Sequence, residues 1–389
     1  MELKEKSNTY IANTYARNDL AITSGKGSIA IDEGGKEYID MGSAISVNIF
    51  GYSDNLLADA VYKQMNTLSN ASNLFYTQPQ AELAQWLCES SGMKKAFFSN
   101  SGAEANECAI KAARKHSYDR FGSQSDRNVI VSLNNSFHGR TIATLAATGQ
   151  PSLREGFGPF PEGFVYIDPN ATDEMLNALD SDKVCAVMIE LVQGESGVIP
   201  LEQEFVAKTA AKAKERGILL IVDEVQSGMG RTGTLFAFEQ YSIQPDLVTL
   251  AKALGGGLPI GATLFSDEVK DALAPGTHGS TFGGNAICCA AALSVVSRID
   301  KSLLDEVREK GAIIKSELSG IDGVEEVTGL GMFIGVKIKK PVAEVIKALI
   351  GKGVLALAAH EKLRLLPPLN ISKETLNKAL GIIKETLAE

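Results

Sequence analysis

Two titratable residues directly follow short apolar runs of this sequence. Asp223 comes after "GILLIV", and Lys252 comes just after "PDLVTL", with three glycines close behind it. A buried carboxylate at a strand end needs a cationic or N–H partner, because burial without one is costly. Desolvation lowers the pKa of a lysine and makes its amine a usable nucleophile. The pair therefore indicates amine chemistry, although a turn-capping aspartate and a surface lysine are the ordinary interpretations of each alone.

Two further apolar runs also end in residues that suit a ligand. After "KKAFFS", Ser101, Gly102 and Ala103 lead into a predicted helix whose free N–H groups and dipole favour a phosphate. A plain serine-capped helix start is the alternative. After "NVIVSL", Phe137 and Arg140 flank a glycine in "NNSFHGRT", where the ring can stack on a flat ligand and the guanidinium can bind a carboxylate. Each residue has an ordinary structural explanation, and it is the combination that indicates a ligand.

The stretch "GMGRTG" matches G-x-G-x-x-G through Gly228, Gly230 and Gly233. A dinucleotide-binding fingerprint needs its first glycine almost directly after a strand and a helix at its end. Here "DEVQS" intervenes, and "TLFAFEQYS" does not form a clear amphipathic helix. We therefore interpret these glycines as a loop, and an NAD-dependent dehydrogenase remains the distant alternative.

The elements that carry these residues follow an alternating pattern from about residue 95. Short apolar runs are separated by helical stretches, and the runs are "KKAFFS", "NVIVSL", "VCAVMIEL", "GILLIV", "DLVTLA" and "PIGATLF". Such unalternating runs predict strands buried on both faces of a parallel sheet, with helices as crossovers. Ligands of α/β sheets bind at the carboxyl ends of the strands, where the polar residues above are found.

The pattern changes beyond residue 285, where helices are followed by the strand-like segments "GMFIGVKIK" and "LRLLP". We predict a large, mainly parallel α/β domain over residues 46–276 and a smaller α+β domain over residues 277–389. The segment 1–45 contains "GSIAIDEGGKEYID", a hairpin with Gly34 and Gly35 in its turn. This segment is predicted to join the small domain.

Composition indicates an ordinary globular chain, with 44% hydrophobic and 22% charged residues and a net charge of -9. No basic stripe suggests a nucleic-acid partner, and no apolar run approaches the roughly 18 residues of a membrane span. The polar start "MELKEKSNTY" does not resemble a signal peptide. The five cysteines form no C-x-x-C pair, so no metal site is expected. We expect a cytoplasmic protein.

A phosphate-binding helix start, a stacking ring, a buried carboxylate and an amine nucleophile are thus predicted at one edge of the sheet. The set matches the requirements of pyridoxal phosphate. The aldehyde of that cofactor requires a lysine, and its ring nitrogen requires an acidic partner.

At this point the sequence resembles the class III (ornithine-type) aminotransferases, which are pyridoxal phosphate enzymes of fold type I. The resemblance covers nearly the whole chain, and its motifs occur in the order of the family. They are "SGAEANE", "FHGRT", "QGESG", "DEVQSGMGRTG", "TLAKALGGGLPIGA", "HGSTFGGN" and "LRLLPPL".

The resemblance implies a set of cofactor-binding residues. Lys252 is expected to bind the aldehyde, and Asp223 is expected to contact the ring nitrogen. The remaining contacts to the ring and the phosphate are expected from Ser101, Gly102, Ala103, Phe137, Val225, Gln226 and Thr281. Many relatives have threonine where this chain has Ala103, so only a backbone contact carries over there. Thr281 is expected to reach the phosphate of the other subunit, which implies a homodimer with shared active sites.

The resemblance also implies how substrates are held. Arg140 is expected to bind the carboxylate distant from the reacting carbon, together with Tyr15. Arg364 is expected to bind the α-carboxylate of glutamate or 2-oxoglutarate. Glu195 is expected to pair with Arg364 when the other substrate is bound. Ile45 stands where ornithine aminotransferases have a pocket tyrosine, which favours an acylated amine.

The expected reaction is the transamination of N-acetylornithine with 2-oxoglutarate, which gives N-acetylglutamate semialdehyde and glutamate in arginine biosynthesis. The length of 389 residues also resembles that of bacterial acetylornithine aminotransferases. N-succinyl-diaminopimelate is left open as a second donor. Ornithine and 4-aminobutyrate are the alternatives within the family.

Overall fold

Seven strands form the central sheet of the computed structural model, which describes residues 3–389. In order across the sheet they are Lys95–Ser99, Gly261–Phe265, Leu247–Leu250, Leu219–Asp223, Val184–Ile189, Val129–Leu133 and Phe164–Ile167. All of the predicted apolar runs are strands of this sheet, and every strand except Gly261–Phe265 is parallel to the others. The predicted α/β class with a mainly parallel sheet is confirmed.

The strand Gly261–Phe265 runs against both neighbours, which the apolar pattern did not predict. It pairs antiparallel with Leu247–Leu250 and with Lys95–Ser99. A parallel return needs a crossover of about a dozen or more residues. The connection 251–260, which contains one short 3-10 helix at Lys252–Gly255, is too short for that. Burial on both faces produces the same apolar run in either strand direction.

Helices pack on both faces of this sheet. Alternate residues of Leu219–Asp223 belong to different apolar clusters: Leu219 and Ile221 pack with the helix Gly102–Phe121, and Leu220 and Val222 pack in the larger cluster on the other face. The other α-helices between residues 50 and 300 are Asn55–Thr67, Gln78–Ser91, Ile142–Ala147, Pro151–Arg154, Thr172–Leu179, Gln203–Arg216 and Ala286–Val296. Their apolar faces keep the site at the end of the strands rather than on a face of the sheet.

The C-terminal part of the chain forms a second, antiparallel sheet. Its strands are Val324–Leu330, Phe333–Ile338, Lys362–Leu365 and Leu357–Ala359, in that order. The helices Lys301–Leu318, Val342–Gly351 and Lys373–Ala388 accompany it. The other short elements of the described chain are the helix Leu3–Tyr10, the strands Val192–Gln193 and Ile199–Pro200, and the 3-10 helix Ala237–Tyr241.

An N-terminal hairpin joins this region. Ile22–Lys26, Ile29–Asp32 and Glu37–Asp40 form an antiparallel sheet, and Val354–Leu355 adds to it in parallel. In its turn the Asp32 carboxylate accepts hydrogen bonds from the N–H groups of Gly34 at 2.8 Å and Lys36 at 2.9 Å. The domain limits at residues 45 and 276 stay predictions.

A left-handed turn follows the hairpin at Ser43–Ser46. The φ angles of its four residues are 46°, 50°, 61° and 65°, and none of the four is glycine. This conformation costs about 1–2 kcal/mol per residue for L-amino acids. Asp40 stabilises the start of the turn, because its Oδ1 accepts hydrogen bonds from Gly42 N at 2.8 Å and Ser43 N at 2.9 Å.

Across residues 3–389, no helix combines the length and apolar character needed to cross a membrane. Over the same residues, no group of three or more His, Cys, Asp and Glu side chains is arranged to hold a metal ion.

Candidate active site

A cavity of about 470 Å³ opens at the carboxyl ends of the parallel strands. The predicted site residues that line it are Ser101, Gly102, Ala103, Phe137, Arg140, Asp223, Val225, Gln226 and Lys252. They come from segments far apart in the sequence, and the parallel strands bring these segments to one edge of the sheet. This cavity is therefore the candidate active site.

Asp223 is held by three donors at the end of the strand Leu219–Asp223. Its Oδ2 accepts hydrogen bonds from Asn106 Nδ2 and His138 Nδ1, both at 2.8 Å, and its Oδ1 accepts one from Val225 N at 3.0 Å. Burial opposes the protonation of His138, but the hydrogen bond and the charge of Asp223 outweigh it and raise the pKa of His138. The partners that the sequence argument required for a buried carboxylate are present.

Glu190 is a second buried carboxylate of the cavity, and the sequence argument missed it. It directly follows the strand Val184–Ile189 and accepts hydrogen bonds from Phe137 N at 2.9 Å and Gly194 N at 3.4 Å. Burial raises the pKa of Glu190 to about 7, and the nearby charge of Asp223 acts in the same direction. The strand-end rule that selected Asp223 would have selected Glu190 as well.

Lys252 begins the 3-10 helix that follows the strand Leu247–Leu250. Its φ of 44° lies in the left-handed region, which a lysine adopts only when its surroundings hold it there. Burial lowers the pKa of Lys252, while the charge of Glu195 opposes that change. A larger fraction of the amine is then unprotonated at neutral pH, as a nucleophile requires.

The helix Gly102–Phe121 begins at the wall of the cavity. Ser101 caps it, because its Oγ accepts a hydrogen bond from Glu104 N at 3.2 Å. The N–H groups of Gly102 and Ala103 lie in the first turn, where backbone N–H groups have no hydrogen-bond partner within the helix. A Cβ atom at Gly102 would lie 2.7 Å from Val225 Cγ1, so only glycine allows this close approach. Because the Ser101 cap uses Glu104 N, it leaves the N–H groups of Gly102 and Ala103 available to a ligand.

This lining fits pyridoxal phosphate. A flat ring with a phosphate, an aldehyde and a ring nitrogen requires a helix N-terminus, an amine and a buried carboxylate. The start of the helix at Gly102, the amine of Lys252 and the carboxylate of Asp223 supply these groups in one cavity. Phe137 and Val225 add the apolar surfaces that a ring can stack on.

The buried Arg364 forms an ion pair with the partly exposed Glu195 beside Gln226. Arg364 Nη1 lies 2.6 Å from Glu195 Oε1 and donates to Gln226 Oε1 at 3.0 Å, while Gln226 Nε2 donates to Glu195 Oε1 at 3.2 Å. Burial raises the pKa of Glu195, but Arg364 outweighs it and lowers that pKa below its ordinary value. Arg364 is 3% exposed, so the guanidinium depends on this partner.

Besides the Glu195–Arg364 pair, two predicted residues do not line this cavity in the single chain. Thr281 lines a separate cavity of about 810 Å³ together with Phe97 and His278. Tyr15 is 71% exposed. The role of each residue stays a prediction.

The role of Ile45 in the substrate pocket stays a prediction. Ile45 is 38% exposed in the left-handed turn, and Val47, two residues later, is the residue of this segment that lines the cavity. Arg140 does line the cavity, and its guanidinium carbon lies 5.5 Å from the centroid of the Phe137 ring. Sequence motifs carry no information on the side-chain directions within a left-handed turn.

The glycines Gly228, Gly230 and Gly233 lie in consecutive turns, and the next helix in the chain is the short 3-10 helix Ala237–Tyr241. The loop interpretation of this motif is confirmed. A dinucleotide would find no helix N-terminus of the required kind here.

The aminotransferase class-III family matches residues 10–387 of the chain. The acetylornithine aminotransferase of Haemophilus ducreyi is 46% identical over 390 residues, which cover 100% of this chain and 99% of that protein. The acetylornithine aminotransferase of Methanocaldococcus jannaschii is 42% identical over 98% of this chain and 96% of its own length.

Solved structures agree with this relationship. The ornithine aminotransferase of Toxoplasma gondii superposes with a TM-score of 0.95 at 30% identity, covering 99% of this chain and 94% of that one. The N-acetylornithine aminotransferase of Stenotrophomonas maltophilia superposes with a TM-score of 0.86 at 32% identity, covering 99% and 98%. The chain belongs to the class III aminotransferase family, and the expected resemblance is confirmed.

Proposed function

We propose that this aminotransferase uses pyridoxal phosphate to transfer the terminal amino group of N-acetylornithine to 2-oxoglutarate. The products are N-acetylglutamate semialdehyde and glutamate. The observation that carries the proposal is the Glu195–Arg364 pair beside Gln226, because a closed pair suits an uncharged chain and an open one suits a carboxylate. The names of the relatives that are 46% and 42% identical support the donor.

Pyridoxal phosphate, when bound, supplies an aldehyde that reacts with amines and a protonated ring that withdraws electrons from the substrate carbon. Lys252 would hold the aldehyde end, and Gly102 and Ala103 would donate backbone N–H groups to the phosphate. Phe137 and Val225 would lie against the two sides of the ring. Ser101, Gln226 and a partner's threonine at the position of Thr281 complete the proposed contacts.

Asp223 would face the ring nitrogen of the cofactor and favour its protonated form. The Asn106 and His138 donors compensate for its burial, so the carboxylate offers a fixed negative charge in a dry site. Lys252 acts on the substrate. Its amine would take the proton from the substrate carbon that bears the amino group, as general base, and would return a proton to the carbon on the cofactor side of that nitrogen, as general acid.

Arg140 and Arg364 are proposed to bind different carboxylates, and only one of the two substrates has both. Arg140 would bind the carboxylate far from the reacting amine, with help from Tyr15. Arg364 would bind the α-carboxylate of 2-oxoglutarate once Glu195 releases it. N-acetylornithine has no carboxylate at that end, so the Glu195–Arg364 pair stays closed and neither charge is left unpaired.

Replacing Glu195 by glutamine is expected to shift affinity between the substrates in opposite directions. Arg364 then lacks its counter-ion, so the KM for N-acetylornithine rises roughly tenfold while the KM for 2-oxoglutarate falls or stays the same. Steady-state kinetics with each substrate varied would measure this change. Glu202→Gln is the control, because Glu202 is exposed before the helix Gln203–Arg216 and its carboxylate makes no capping hydrogen bond. A rise of both KM values together would contradict the proposed switch.

The donor is tested by the visible absorbance of the purified protein loaded with pyridoxal phosphate. We expect N-acetylornithine to deplete the cofactor's visible band at a concentration at least about tenfold lower than ornithine requires. N-succinyl-diaminopimelate and 4-aminobutyrate form parallel arms, and the first of these measures the proposed second donor. Equal depletion by ornithine would overturn the acylated donor.

We further propose that the enzyme works as a cytoplasmic homodimer. Thr281 lines a cavity that does not include Lys252, and the exposed Tyr76 lines it as well. Phe75 and Phe282, which are next to these two residues in the sequence, are also exposed. Exposed aromatic side chains of this size are typical of protein interfaces.

A further inference from the structure

The glycine-rich loop Gly228–Gly233 carries a completely buried arginine. Arg231 is 0% exposed, and burial lowers its pKa to about 9, which still leaves the guanidinium charged at neutral pH. Two glycines allow this loop to pack closely: Gly230 has a φ of 85° and Gly233 a φ of 93°. A Cβ atom at Gly230 would lie 3.2 Å from Leu369 Cδ1. The loop lacks the helix N-terminus of a dinucleotide site, so its glycines need another explanation.

The side chain of Arg231 joins three segments of the chain. Its Nε donates to Ser46 Oγ at 2.9 Å, and its Nη1 donates to the carbonyl oxygens of Met332 at 3.2 Å and Pro367 at 2.6 Å. The planar guanidinium fixes the directions of these bonds, which a lysine amine does not. Ser46 ends the left-handed turn, and Pro367 follows the strand that carries Arg364.

Two of these joined segments run side by side, and one of them reaches the active-site cavity. Leu366 N donates to Met41 O at 2.6 Å, and Leu369 N donates to Ile49 O at 2.8 Å, so the segment 366–369 runs beside the segment 41–49. Val47, on the second segment, lines the active-site cavity. Arg231 does not line the cavity itself, but it bonds Ser46, the neighbour of Val47, and Pro367, three residues after Arg364.

We propose that Arg231 is a positioning residue for the α-carboxylate of the acceptor. It acts through Ser46 and Pro367, which set the distance between the left-handed turn and the strand of Arg364. The inference rests on the proposed function, because it takes Arg364 as the group that binds the α-carboxylate. The glycine-rich motif serves substrate binding in this way, by letting an arginine pack behind the pocket.

The turn at Ser43–Ser46 needs such an anchor because its backbone is strained. Four successive left-handed residues return to ordinary φ values unless their contacts hold them. The Asp40 carboxylate holds the first residue, and the hydroxyl of Ser46 receives the bond from Arg231 at the last. Loss of that bond frees the end of the turn that is nearest to Val47.

The test is ligand binding by the cofactor-loaded enzyme, measured by calorimetry with two unreactive acids. Glutarate has the two carboxylates of 2-oxoglutarate, and butyrate lacks the one assigned to Arg364. For Ser46→Ala, which removes only the hydroxyl, we expect the Kd of glutarate to rise roughly three- to tenfold. The Kd of butyrate is expected to change less than about twofold. Arg231→Lys is expected to show the same selective loss in greater degree.

Arg127→Lys is the matched control. Arg127 also donates to two carbonyl oxygens, those of Arg216 and Gly217, but it lies outside the lining of the active-site cavity. Its replacement is expected to lower the thermal midpoint without changing either Kd. If Arg231→Lys does not fold, Ser46→Ala provides the result by itself.

Several outcomes would overturn the inference. Unchanged glutarate binding by Ser46→Ala would show that the bond only adds stability, and an equal rise for both acids would show a general loss of the pocket. Either result leaves the proposed reaction intact if the unaltered enzyme binds glutarate more tightly than butyrate. If the unaltered enzyme shows no such preference, the assignment of Arg364 and the inference built on it both fail.

Discussion

Replacing Lys252 by alanine is expected to lower the rate of transamination by at least about 10⁴-fold, because one amine performs two roles. In the proposed function it holds the aldehyde end of the cofactor, and it moves the proton of the substrate carbon. The rate would be measured with N-acetylornithine and 2-oxoglutarate, each at a saturating concentration. Lys252 begins a 3-10 helix and its φ of 44° suits a small residue no worse than a lysine, so the fold should persist.

A small amine added to the solution gives this experiment a second readout. Methylamine can take the position of the missing side-chain amine, so we expect it to restore part of the rate in Lys252→Ala. Lys315→Ala is the control, because Lys315 is also partly buried but donates to Gly329 O in the C-terminal part of the chain. Full activity of Lys252→Ala would show that another group is the nucleophile.

Replacing Asp223 by asparagine is expected to lower kcat by about 10²–10³-fold, the usual cost of removing one fixed charge from a catalytic site. The substitution keeps the size of the side chain but removes the negative charge that is proposed to face the ring nitrogen. It also leaves one acceptor oxygen where Asn106, His138 and Val225 now donate to two. The pKa of His138 should fall, because the hydrogen bond and charge that raise it are lost.

Asp246 provides the matched control for this substitution. It is a mostly buried carboxylate next to the same central sheet, where it accepts a hydrogen bond from Leu220 N at 2.8 Å, at the end of the strand remote from the cavity. Asp246→Asn is expected to lower the thermal midpoint but to leave kcat within about twofold. If the two variants lose activity to the same degree, Asp223 has a structural role and the assignment fails.

The sequence predicted six of the seven strands of the large sheet because each of the six is a compact apolar run, whereas the edge strand Phe164–Ile167 was not predicted. It also predicted which residues meet at the carboxyl ends of these strands, since parallel strands share one active edge. Asp223, Lys252, Phe137 and the helix start at Gly102 were found in this way, and all line one cavity. The family motifs added Arg364 and Glu195. Arg364 lies on a strand of the second sheet, so its pairing with Glu195 could not be predicted from the strand ends of the large sheet.

Other features left no local signal. The direction of Gly261–Phe265 depends on the length of a connection, and the left-handed turn at Ser43–Ser46 contains no glycine to mark its positive φ angles. Arg231 looks like a surface residue in the sequence, because arginines are seldom completely buried. Only the tertiary packing of three distant segments explains its position.

The direction of the strand Gly261–Phe265 has a consequence for how the chain is organised. Since this strand begins at the edge where Leu247–Leu250 ends, the connection 251–260 never leaves the active-site edge. One short stretch therefore contributes Lys252 near its start and Leu258, Pro259 and Ile260 near its end to the lining of the cavity. It is the shortest connection between neighbouring strands of the central sheet, so ordering it costs the least loop-closure entropy. The reactive amine is thus held by a local hairpin-like unit, whereas the carboxylate it works with depends on crossovers that span the whole domain.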